Sequence, residues 1–114
     1  VPYVDSAFNQ ASFPLKAFEY LASGLPVVGT PLPALQWLAE GAPGGDQLRL
    51  APTPAEFGRA AADLATLARN GSELRARCRA LAGDHDWRLR SREVRSLLAA
   101  SPERPGAPVR EGER

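Results

Sequence analysis

A chain of 114 residues carries 14 Lys and Arg against 13 Asp and Glu, and 44 % of it is apolar. This length suits one small domain, and the near-neutral charge makes no general case for a nucleic-acid or membrane partner. No apolar run approaches the roughly 20 residues of a transmembrane segment. The single cysteine, Cys78, excludes an internal disulfide framework and suits a cytoplasmic setting. The first residue is Val1 and no signal peptide is evident, so the chain is expected to be a piece with further sequence upstream.

In chain order, Val1-Pro2-Tyr3-Val4 reads as a short strand ending near Asp5, and Asn9 to Ser12 as a polar loop. A helix is expected from Pro14, because proline suits a first helical turn. Leu15, Phe18 and Leu21 recur at helical spacing with Ala22 beside them, and Gly24 stops the helix in the left-handed conformation. Pro26-Val27-Val28-Gly29 reads as a parallel strand buried on both faces. After the stiff loop around Pro31 and Pro33, Leu35, Trp37 and Leu38 indicate a short helix. Gly41 to Gly45 form a loop, and Leu48-Arg49-Leu50 is a weak third strand.

Thr53-Pro54-Ala55-Glu56 is a capping box opening a helix with Phe57, Ala61, Leu64 and Ala68 inward. Asn70-Gly71 breaks that helix. Ser72 is expected to cap the next, with Leu74, Cys78 and Leu81 inward and Gly83 at its end. A last helix runs from about Trp87 to Ala99, capped by Asp86, with Val94, Leu97 and Leu98 on one face. Residues 101–114 are rich in proline, glycine and charge and read as a disordered tail, which leaves one folded region over 1–100. Alternating strands and helices predict an α/β fold with a parallel sheet.

The stretch from Ser12 to Val28 carries the chemistry. A loop enters a helix whose first N–H groups have no intrahelical partner, and the helix dipole adds to them, making an anion site. Pro14 cannot donate, so the candidate donors are the amides of Phe13, Leu15 and Lys16, with the Lys16 ammonium in reach. One turn on, Glu19 faces the same crevice, and its acceptor-only carboxylate can take hydrogen bonds from both hydroxyls of a ribose. Such crevices lie at the carboxyl ends of parallel strands. Phosphate at the helix start and ribose at the carboxylate together describe a nucleoside diphosphate.

Pro14-Leu15-Lys16, then Glu19-Tyr20-Leu21-Ala22, then Gly24-Leu25-Pro26-Val27-Val28 resembles the donor-domain signature of GT-B glycosyltransferases, in particular the group-1 family and its relatives. The resemblance covers about residues 1 to 99 and is specific only in this central block. It implies the C-terminal half of a Rossmann-like donor-binding domain: parallel strands with flanking helices, inactive without an N-terminal acceptor domain. It also implies a nucleotide-sugar donor, an unidentified acceptor, and a metal-independent mechanism with no cofactor. Glu19 matches the second glutamate of the family's Glu-x7-Glu motif, which binds the donor ribose. Phe13 to Lys16 match the helix start whose amides face the diphosphate. Glu56-Phe57 resembles the start of the helix after the family's last strand, and Trp87 the tryptophan that opens its final helix, which crosses back toward the N-terminal domain. The first glutamate of the motif falls at Ala11, so the residue that lies near the transferred sugar in the family is absent here. No catalytic residue is assigned. A nucleotide-sugar epimerase, a phosphorylase of the same fold and a non-catalytic partner-binding domain are the competing readings.

Simpler explanations stand beside these. Glu19 and Lys16 are also ordinary surface residues of an amphipathic helix. Asn9 and Gln10 are candidates for donor-sugar contact, or plain loop residues. Asp84-His85-Asp86 suggests a metal, but adjacent side chains rarely converge, and a helix cap at Asp86 explains it at less cost. Cys78 fits a small core residue, and Trp37 and Trp87 fit packing roles. The arginines at 75, 77, 79, 88, 90, 92 and 95 form no single basic face and read as solvated residues.

Overall fold

The computed structural model describes residues 1–42 and 44–100. Its elements are α1 (Ala7–Ala11), α2 (Leu15–Ala22), β1 (Val27–Gly29), α3 (Pro33–Glu40), β2 (Leu48–Leu50), α4 (Pro54–Asn70), α5 (Ser72–Gly83) and α6 (Trp87–Ala100). The strands pair in parallel with Val27 opposite Leu48 and Gly29 opposite Leu50. Val27 N–H donates to the Gln47 carbonyl at 2.9 Å, and Ala51 N–H to the Gly29 carbonyl at 2.9 Å. The β1–α3–β2 crossover is the connection that parallel strands require. The expected mixed α/β fold, with parallel strands between helices, is therefore present, as in a Rossmann-like fragment.

Successive strand residues point to opposite faces, which sorts the core into two layers. Val27 and Leu48 join Ala17 and Leu21 of α2, Leu35 and Leu38 of α3, and Leu74, Cys78 and Leu81 of α5. Val28 packs on the other side with Ala51 and Leu64, against Phe57, Ala60 and Ala61 of α4. All three residues of β1 are buried, as its apolar run predicts. Gly29 permits close packing: a Cβ there would lie 2.5 Å from Leu35 Cδ1. Cys78 is fully buried between α5 and its neighbours, and burial raises its thiol pKa, as for a core residue.

Several local signals act as expected. Thr53 Oγ1 accepts from Glu56 N–H at 3.3 Å while Glu56 Oε2 accepts from Thr53 N–H at 3.2 Å, completing the capping box. Asp86 Oδ1 accepts from Arg88 N–H at 2.7 Å and caps α6. Gly24, at φ +80°, closes α2: its N–H donates to the Leu21 carbonyl and that of Leu25 to the Tyr20 carbonyl, both at 2.9 Å. This is the paired bonding of a Schellman motif.

Other expectations are corrected. Val1–Asp5 is not a strand. The Val1 amino group donates to the Val28 carbonyl at 2.6 Å and Thr30 N–H to the Val1 carbonyl at 3.3 Å, but Pro2 has no N–H to extend a ladder. Thr30 Oγ1 instead accepts from Tyr3 N–H at 2.9 Å. Asn9–Ser12 is not a loop, since Asn9 to Ala11 end α1, whose cap Ser6 accepts from Asn9 N–H. In α2 the buried side is Ala17 and Leu21, whereas Leu15 is exposed, so the inward stripe is rotated from the one expected. Gly71, not Ser72, precedes α5, and Ser72 makes no side-chain cap. Gly83 does end α5 as expected, with Asp84 as the C-cap. Val94, Leu97 and Leu98 of α6 are exposed. Pro43 and the expected tail at 101–114 lie outside the described residues.

These conformations give a direct test. Gly24→Ala forces a Cβ into positive φ and within 3.1 Å of the Arg79 guanidinium. It is expected to destabilise the fold by about 1–2 kcal/mol. Gly83→Ala, in a helix with open space at its Cβ, is expected to be neutral or to stabilise by up to about 1 kcal/mol. Urea denaturation of both variants beside the wild type measures the difference, and equal losses would contradict the conformational assignment.

Candidate functional site

The start of α2 is built by Pro14. It is buried and extended at the N-cap position, and its carbonyl accepts from Ala17 N–H at 3.0 Å. Leu15 and Lys16 follow as the first two helical residues, whose N–H groups have no intrahelical acceptor. The α2 sequence supplies no acidic residue in this first turn, so nothing there offsets the positive end of the dipole. Glu19 lies one turn further in. Lys16 Nζ and Glu19 Oε2 are 2.7 Å apart, with both side chains more than half exposed. The hydrogen bond and charge of Glu19 raise the Lys16 pKa.

Leu15, Phe18, Glu19 and Ala22 present one side of α2 to a cavity of ≈ 600 Å³, which Phe13, Trp37, His85 and Arg90 also line. Its size lies in the range of small-molecule sites. Of the five residues expected at the site, Phe13, Leu15 and Glu19 meet around this cavity, and Lys16 joins them through its ion pair. Asn9 does not line it. The Asn9 amide donates to the Val4 carbonyl at 2.8 Å, and Gln10 donates to Asp5 Oδ1 at 2.6 Å. Both side chains thus tie α1 to the segment before it. A separate open depression of ≈ 750 Å³ beside β2 and α4 contains none of the expected residues. Within it Arg49 lies 2.8 Å from Asp46 and 3.5 Å from Asp63.

Sequence reasoning missed the far wall of the cavity. Phe13 stacks on Phe18 with ring centroids 5.1 Å apart and meets Trp37 edge-on at 6.0 Å. The His85 ring lies 4.9 Å from Trp37 and 5.4 Å from Phe18. Arg90 Nη2 sits 2.8 Å from His85 Nδ1 and its Nη1 2.9 Å from Glu93 Oε2, with the guanidinium 5.9 Å from the Trp37 ring centroid. Arginine only donates, so Nδ1 accepts and the neutral imidazole carries its proton on Nε2. No metal-ligating group forms around His85, or elsewhere among the described residues. The only sequence signal for this wall was the aromatic character of Trp37 and Trp87, and no spacing rule brings α3 and the α5–α6 turn together.

Burial lowers the His85 pKa from 6.5, and the Arg90 charge lowers it further. The unfolded chain therefore binds the proton more readily than the folded one. Stability is expected to be full above about pH 6.5 and to fall as the pH drops from there through the folded pKa. Thermal unfolding at pH 7.5 and pH 5 is expected to show a lower Tm at pH 5, and His85→Phe should flatten the difference; an equal slope in that variant would remove His85 as its source.

No helix among the described residues is long and apolar enough to cross a membrane. No protein-family profile matches the chain, and no solved structure matches it. Over 30 residues it is 67 % identical to a protein of Bacillus subtilis (strain 168) described as "Putative teichuronic acid biosynthesis glycosyltransferase TuaH". The matched segment is 26 % of this chain and 8 % of that protein, so the likeness supports a glycosyltransferase relationship over a short segment.

Proposed function

We propose that the chain forms part of the donor-binding domain of a glycosyltransferase that uses a nucleoside diphosphate sugar. The observation carrying this reading is the juxtaposition of Lys16, Glu19 and the open start of α2 beside a cavity of ligand size. The short likeness to a protein described as a glycosyltransferase supports it. In this reading the diphosphate lies at the amides of Phe13, Leu15 and Lys16, and Glu19 accepts hydrogen bonds from the ribose hydroxyls.

The Lys16–Glu19 ion pair then holds the unliganded site. On donor binding, the Lys16 ammonium turns to the diphosphate and the Glu19 carboxylate is released to the ribose. Both groups are exposed, so the exchange requires no opening of the core. During transfer, negative charge grows on the leaving diphosphate. Fixed N–H dipoles and a lysine charge stabilise it without reorganising at that moment. The proposal needs no metal for this role.

Glu19→Ala is expected to weaken nucleoside diphosphate binding roughly tenfold to a hundredfold, the loss for hydrogen bonds to a charged acceptor. Glu19→Gln keeps one acceptor oxygen and is expected to lose less. Calorimetric titration of the three proteins with uridine, thymidine and guanosine diphosphates measures this, and an unchanged affinity in Glu19→Ala sinks the ribose assignment.

A further inference from the structure

Phe13 stands before the first turn of α2, so no helical hydrogen bonding fixes its backbone. Its ring is nonetheless packed by two groups, which a third backs from behind. Phe18 of α2 stacks on one face at 5.1 Å, and Trp37 of α3 meets it edge-on at 6.0 Å. His85, in the turn between α5 and α6, packs against both supports at 5.4 and 4.9 Å. Arg90 of α6 locks the outside of the cluster through His85 Nδ1 at 2.8 Å, and is itself held by Glu93 at 2.9 Å. The chain of contacts from Arg90 to Phe13 ends at the peptide groups that face the diphosphate in the proposed donor site.

We infer that Trp37 and His85 are positioning residues for the donor: they hold Phe13, and with it the backbone entering α2, in the binding conformation while His85 is neutral. This rests on the donor reading of Lys16 and Glu19. Trp37 acts through ring packing alone, since an edge-on pair adds a preferred geometry to area burial. His85 acts as a wedge whose charge state matters. Its surroundings are Phe18 and Glu19 from α2, Trp37 from α3, Asp84 and Asp86 beside it in sequence, and Arg90 and Glu93 from α6. Protonation puts a second donor and a second positive charge opposite Arg90 at hydrogen-bond distance. Asp84 and Glu93 favour protonation, but burial and Arg90 outweigh them, and the neutral form is favoured. Acidification through the histidine range therefore loosens the wedge first, then Trp37 and Phe13.

The test uses the full 114-residue chain. Nitrogen-15 relaxation reads the amides of Phe13, Leu15 and Lys16, with Leu74 to Leu81 as an internal control for the fold. In Trp37→Ala the order parameters of the three site amides are expected to fall from about 0.85 to below about 0.6, with the control unchanged and Trp37→Phe restoring them. The wild type should show the same loosening as the pH is lowered from 7.5 until the His85 ring-proton shifts report its protonation, a comparison that needs no variant to fold, and His85→Phe should not. Affinity is followed with the tightest-binding of uridine, thymidine and guanosine diphosphate glucose. Both phosphates of these probes are diesters and stay ionised over that range, so the ligand does not titrate. Trp37→Ala is expected to bind roughly tenfold more weakly and Trp37→Phe within about threefold of the wild type. Rigid site amides in Trp37→Ala, or in the wild type once His85 is protonated, overturn the inference whatever the donor does. Loosened amides with unchanged affinity, in a protein where Glu19→Ala does weaken binding, overturn it while leaving the donor site standing. If no probe binds, the donor reading fails and the inference falls with it.

Discussion

The structure depends on burying β1 from both sides. Three residues cannot hold a strand by hydrogen bonds alone, and its parallel partner β2 is equally short. Val27 and Val28 point to opposite faces, so covering both requires helices above and below the sheet. α2, α3 and α5 cover one side and α4 the other. Burial at about 25 cal/mol per Å² rewards each helix for docking against the same two strands. Gly29 tightens this arrangement, because without a Cβ it lets Leu35 approach the strand backbone directly.

The candidate site follows from that packing. α2 uses Ala17 and Leu21 to dock on the core, which leaves Leu15, Phe18, Glu19 and Ala22 turned toward the cavity. Gly24 and Leu25 complete the helix stop, so α2 leads into β1 within a few residues. Lys16 and Glu19, the polar groups of the proposed donor site, therefore sit on the exposed side of an element whose other side is anchored. An ion pair between two exposed side chains adds little to stability. Lys16 and Glu19 are consequently free to exchange partners at little cost to the fold.

The cavity wall shows a different use of aromatic residues. Phe13, Phe18, Trp37 and His85 are neither fully buried nor simply solvated. They pack on one another and leave one edge open to the space beside Glu19. Arg90 covers the outer edge, using its flat guanidinium both over the Trp37 ring and as a donor to His85. The arginine-rich character of α6, which in the sequence suggests only a solvated helix, thus includes one residue with a defined place in the structure.

Much of the local structure was legible from residue types. Thr53 and Glu56 specify their helix start through a reciprocal pair of hydrogen bonds only three residues apart. Asp86 caps α6, Gly24 supplies positive φ, and the continuous apolar run at Val27-Val28 announces a strand covered on both faces. The Lys16 and Glu19 placement was legible too, because their separation along one helix fixes their proximity. The segment Val1–Asp5 misled because apolar residues suggested a strand, while Pro2 denied it the ladder. The inward face of α2 misled for a different reason. Leu15 and Leu21 are alike in composition, and which one is buried depends on where α5 lies. The sequence by itself determined the caps, the breaks and the buried strand, since these are set by interactions within a few residues. Only the tertiary structure decided that Trp37 stands beside Phe13 and that His85 backs Trp37 and Phe18. That meeting joins residues dozens of positions apart, and its energy comes from packing that no local spacing encodes.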